Sequence, residues 1–148
     1  MNLKIDSLSD LTPNYREICK KAAEDNSVFL TFKSNPAYNA ILEHVSFEQG
    51  LLYINEINNK KEKFEDKIGY FKLNDSIGTP KKNKFEEPFG EISPTTIRYI
   101  KVLCDIFELF GSLKSKSIIE IGAGYGGQCK ILFDAFELSK YFIIDLTE

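Results

Sequence analysis

The chain has 148 residues, 43% apolar, 28% charged and 13% aromatic, which excludes collagen-like, mucin-like and wholly disordered classes and fits one packed domain. Lys and Arg number 19 against 22 Asp and Glu, a formal charge of −3, so general nucleic-acid binding is disfavoured, because phosphate affinity comes from clustered cations. No apolar run reaches the ~20 residues of a membrane helix, Met1–Ser7 lacks the apolar segment of a secretory signal, and Cys19, Cys104, Cys129 and the single His44 supply neither a disulfide framework nor a zinc ligand set; the expectation is a reduced, cytoplasmic protein with no metal and no membrane span.

The N-terminal 60 residues read as helical. Thr12-Pro13 is a helix start, and Leu11, Tyr15, Ile18, Cys19 and Ala22 follow at spacings of three and four on one face. Asn35-Pro36 repeats the signal ahead of Ile41, Leu42 and Val45. Ser46-Phe47-Glu48-Gln49 has the spacing of a capping box, with Leu51, Leu52, Ile54 and Ile57 continuing from it. Residues 58–92 carry the weakest periodicity. Asn58–Lys63 reads as a solvated helix end, and Ile77–Lys84 and Glu86–Gly90 as loop and turn chemistry. Lys81, Lys82 and Lys84 read as a solvated loop, and His44 as a packing or surface residue.

From residue 93 the pattern changes. Ser93-Pro94 is a hydroxyl cap followed by Pro at the first helical position. Ile97, Ile100, Leu103, Cys104, Phe107 and Phe110 then form an apolar stripe that Gly111 ends. Ile118-Ile119-Glu120-Ile121 reads as a buried parallel strand. The loop Gly122–Gly127 follows, then a helix carrying Cys129, Ile131, Leu132, Phe133, Ala135 and Phe136, then a second buried strand, Tyr141–Asp145. This is a βαβ unit, right-handed in about 98% of cases. The expected organisation is a mainly helical region over 1–92 and the start of an α/β domain over 93–148.

The glycine loop suggests a ligand. Glycine reaches positive φ and lets a ligand approach bare backbone, while the helix start offers free N–H groups and partial positive charge. An acidic residue ending the next strand, here Asp145, stands where it can accept hydrogen bonds from ribose hydroxyls. Gly122-x-Gly124-x-x-Gly127 satisfies the dinucleotide pattern. Glu120 speaks against that ligand, because a carboxylate at the strand end repels a pyrophosphate. It suits S-adenosylmethionine, which carries an ammonium and a sulfonium and no phosphate. The NAD-binding oxidoreductase reading stays as the alternative, beside a non-catalytic remnant that only binds a partner.

Ile118–Gln128 resembles motif I of class I S-adenosylmethionine-dependent methyltransferases. Gly90–Tyr99 together with Glu120–Lys130 resembles, more narrowly, the bacterial sugar O-methyltransferases. The resemblance covers roughly residues 85–148. It implies a Rossmann-like domain in which Gly122, Gly124 and Gly126, with Ala123, Tyr125 and Gln128, line the cofactor, Glu120 lies near its amino group and Asp145 holds the ribose. It further implies a sugar, nucleotide-sugar or glycan hydroxyl as acceptor. Such a domain has a wider sheet than the two strands found here. The 148 residues are therefore expected to be a part of an enzyme, inactive alone, with apolar sheet surface uncovered. No general base is identified. Glu91, Ser93, Thr95, Thr96, Arg98 and Tyr99 are candidate pocket residues, being richer in polar groups than a cap requires; the competing reading is capping by Ser93 and a surface Arg98. Tyr125 covers the cofactor or fills space, and Cys129 is a small core residue.

Overall fold

The computed structural model describes residues 12–145, a mixed α/β fold; Leu11 and Met1–Ser7 lie outside the described residues. The chain forms two compact units. One takes the described part of Met1–His44 with Ile77–Lys81; the other takes Val45–Ser76 and the described part of Lys82–Thr147. The first unit thus draws on two separate stretches of the chain.

In the first unit, α1 (Thr12–Glu24) is followed by the single turns α2 (Asn26–Phe29) and α3 (Pro36–Asn39), with a 3₁₀ turn at Phe32–Ser34 between them. Asp25 and Asn35 cap α2 and α3, accepting from Ser27 N and Ala37 N at 2.8 and 2.9 Å. Tyr38 is the hub: it stacks on Tyr15 at 5.5 Å and meets Phe32 edge-on at 4.7 Å. The Asn35-Pro36 start is present, but its helix ends after one turn, so Ile41 and Leu42 lie in a turn.

In the second unit, α4 (Phe47–Asn58) opens with both bonds of the capping box between Ser46 and Gln49. It buries Gly50 and Ile57 and leaves Leu51 and Leu52 exposed. A 3₁₀ turn (Glu65–Lys67), α5 (Ile68–Phe71) and a second 3₁₀ stretch (Lys72–Ser76) follow, then a short antiparallel pair, β1 (Asn83–Lys84) with β2 (Glu91–Ile92). Residues 77–82 and 86–90 are loop and turn as expected, while Asn83–Lys84 pairs as a strand. Despite the weak periodicity of residues 58–92, Phe64, Ile68, Phe71, Phe85 and Phe89 are buried in the same cluster as Ile97, Ile100 and Leu103 of α6 (Pro94–Phe110). Single-turn helices offer too few positions for a period to be read, yet each can deliver one aromatic inward. Ion pairs tie α4 and the Lys60 that follows it to α6, Lys60–Asp105 at 2.8 Å and Lys101–Glu56 at 3.1 Å, and within α6 Lys101 also meets Asp105 at 2.7 Å.

The α6 stripe is buried through Cys104, but Phe110 at its end is exposed, and Gly111 stops the helix at φ 67°. β3 (Ser117–Ile121) and β4 (Lys140–Ile144) form the expected parallel pair, joined through α7 (Gly127–Ala135). The strands have the composition of buried strands but are not buried, and apolar sheet surface is left uncovered as the two-strand width implies. Side chains alternate across a strand, so Ile118, Glu120, Tyr141 and Ile143 share one face. Ile118 and Tyr141 of that face pack against the cluster that holds Ile131 and Leu132 of α7. The other face presents Ile119 and Ile121, 65% and 81% exposed, beside Phe142 and Ile144, 50% and 56% exposed. The physical reason is that α7 covers one side of a sheet only two strands wide, whereas a buried parallel sheet needs layers on both. Phe133 of α7 is likewise half exposed. Among the described residues no helix is long and apolar enough to cross a membrane.

Candidate functional site

The loop between β3 and α7 stands at the carboxyl ends of the two parallel strands. Gly122 N donates to Ile144 O at 2.9 Å, so the strand pairing runs into the first loop residue. Gly122, Gly124 and Gly126 then take φ of 75°, 56° and 84°. These are left-handed conformations in which a Cβ would be strained. A Cβ on Gly122 or Gly126 would meet nothing within 4 Å, so open space lies beside both. Gly126 precedes α7 in the N-cap position with no side-chain cap, which leaves the first-turn N–H groups to a ligand or to water.

Asp145 reaches this loop. Its Oδ2 accepts from Gly124 N at 2.9 Å. The structure therefore brings together the two features that the sequence separates, the glycines and the acid that ends the next strand. Glu120 lies on the covered face of the sheet, half-buried, and accepts from the Tyr141 hydroxyl at 2.8 Å. Burial, that hydrogen bond and the Glu120 charge hold the Tyr141 phenol above its ordinary pKa. Burial and then the Glu120 charge also raise the pKa of the Cys129 thiol, in the first turn of α7. The Glu120 charge is thus felt at the helix start.

Tyr125 turns inward. Its hydroxyl lies 2.6 Å from Asn74 Nδ2, and its ring sits 6.4 Å from that of Tyr99. A Cβ on Gly127 would fall 2.5 Å from the Tyr125 hydroxyl and 2.6 Å from Tyr99 Cε2. Gly127 is therefore a glycine for close packing and not for backbone conformation. Gln128 Nε2 donates to Tyr99 O at 3.3 Å, and Ala123 is buried under the loop.

The other candidate pocket residues divide. Ser93, Thr95 and Thr96 are buried. Ser93 Oγ accepts from Thr96 N at 3.1 Å, the cap that Ser93-Pro94 suggests. The Asp75 carboxylate accepts from Ser93 N, Ser93 Oγ and Thr96 Oγ1 at 2.6, 2.8 and 2.6 Å. Both hydroxyls are thus committed to Asp75. Glu91 is exposed on β2 opposite Lys84, and the Arg98 guanidinium lies 5.3 Å from the Tyr99 ring centre. Asn74 and Asp75 were missed by sequence reasoning. Their partners lie 18 to 51 residues away, and no local spacing marks such a bond. Among the described residues no group of three or more His, Cys, Asp or Glu side chains is placed to hold a metal ion. No protein-family model, curated protein or solved structure matches the chain.

Proposed function

We propose that this chain carries the S-adenosylmethionine site of an O-methyltransferase acting on a sugar or glycan hydroxyl. The observation that carries the reading is the Asp145 carboxylate at 2.9 Å from Gly124 N, beside a positive-φ glycine loop at the carboxyl ends of parallel strands. Open sheets of this kind bind ligands there. Asp145 accepts hydrogen bonds from ribose hydroxyls, and the bare backbone at Gly122 and Gly126 admits the rest of the ligand. Glu120 favours a cation. A dinucleotide sets its pyrophosphate on the helix N-terminus, but here the Glu120 charge acts on the first turn of α7, where with burial it raises the pKa of the Cys129 thiol. A carboxylate has about four lone-pair sites, so Glu120 can serve an ammonium group while it accepts from Tyr141. The bound cofactor supplies an electrophilic methyl group on a sulfonium. Holding donor and acceptor in near-attack geometry is most of what such a transfer requires, and this chain's share is to bind and orient the donor. The acceptor class rests on the resemblance of Gly90–Tyr99 and of the loop.

Calorimetric titration with S-adenosylhomocysteine and with NAD, in parallel, tests the reading. The expected outcome is binding of the former only. Asp145→Ala should weaken it by about 1.5–3 kcal/mol, a tenfold loss or more, through loss of hydrogen bonds to a charged acceptor. Binding of NAD with no binding of S-adenosylhomocysteine overturns it.

A further inference from the structure

The middle of the glycine loop is held from two sides. On the strand side, Asp145 accepts from Gly124 N. On the inner side, the Tyr125 hydroxyl meets Asn74 Nδ2 at 2.6 Å. Asn74 is fully buried, in the 3₁₀ stretch Lys72–Ser76, and its Nδ2 also donates to Thr96 Oγ1 at 3.0 Å. The direction of these bonds follows from Asp75. A carboxylate only accepts, so the Thr96 hydroxyl proton points to Asp75 Oδ1 at 2.6 Å. The Thr96 oxygen must then accept from Asn74, which fixes the amide with its NH₂ group toward both Thr96 and Tyr125. Asp75 thereby orients Asn74, and Asn74 orients the phenol of the one side chain between Gly124 and Gly126.

The two tethers differ in what a ligand does to them. In the proposed function, Asp145 takes ribose hydroxyls, and its hold on Gly124 weakens as the same oxygens are drawn to new donors. The Asn74–Tyr125 bond is part-buried, lies on the other side, and does not compete.

We propose that Asn74 is a positioning residue: through Tyr125 it keeps the Gly122–Gly127 loop in its cofactor-receiving shape, independently of Asp145. The dependence on cofactor rests on the reading given above; the effect on the loop does not.

The test uses the whole chain, Asn74→Ala, Tyr125→Phe and the double variant. Amide hydrogen exchange is measured without ligand at Gly124 and Gly126, both hydrogen-bonded in the structure, and at Ile118 and Glu120 in β3, whose amides face β4 in the ladder that Gly122 N continues. Each single variant should speed exchange at the two loop amides roughly tenfold and leave the strand amides unchanged, the pattern of local opening. Each should weaken S-adenosylhomocysteine about tenfold, and the double variant should lose no more than either single one, because both remove one interaction. Tyr125→Phe removes a single oxygen, so it decides the matter if Asn74→Ala fails to fold. Unchanged loop exchange, exchange raised equally at loop and strand, or multiplying affinity losses each overturn the proposal. If the wild-type chain binds no S-adenosylhomocysteine while loop exchange still rises in both variants, the cofactor reading fails and the positioning role stands.

Discussion

Two helices of the second unit begin in opposite ways. At α6 the cap is Ser93, in extended conformation with φ −74° and ψ 142°, and the Asp75 carboxylate closes over it from another segment. At α7 the cap position holds Gly126 at φ 84°, with no side chain to bond the first-turn N–H groups. Both helix starts carry the same orphan donors and the same partial positive charge. The first is sealed and buried, so its electrostatics stabilise the fold. The second is left open beside unfilled space, so its electrostatics are free for a ligand. A sequence with polar residues at one start and glycines at the other states this division directly.

The comparison can be broken most sharply at Asp75. Asp75→Ala leaves Ser93 N–H and two hydroxyls buried without their acceptor, and should cost about 3 kcal/mol in urea unfolding. A cost below about 1 kcal/mol, the size of a single cap, would mean that the sealing adds little. The open start is sharpened by two neighbouring glycines that do different work. Gly127→Ala drives a methyl group into Tyr99 and the Tyr125 hydroxyl, and should cost about 2 kcal/mol as overpacking. It should also displace Tyr125, seen as weakened S-adenosylhomocysteine binding. Gly126→Ala meets no atom, and only the left-handed backbone resists it, at about 1 kcal/mol. Thermal melts of the pair should keep that order, and a reversal would refute the assignment of packing to one glycine and conformation to the other.

Much of this was readable in the chain itself. Ser46 with Gln49, Ser93 with Pro94, and the glycines with Asp145 declare themselves, because a cap, a helix start and a loop act over a few residues or one βαβ unit. What escaped has a common cause. Phe64, Phe71, Phe85 and Phe89 lie in single turns or irregular stretches that show no period, yet they fill the core. Asn74 and Asp75 look like ordinary loop residues until α6 is folded against them. The exposure of Ile119 and Ile121 was legible only as a consequence of a two-strand sheet, because their composition is that of a strand covered on both sides.

That bare row of Ile119, Ile121, Phe142 and Ile144 has a practical corollary. Dyes that fluoresce in greasy surroundings will light up on the native chain before any heat is applied. Melting curves drawn with them start from a bright baseline, and circular dichroism is the sounder gauge of when this molecule comes apart.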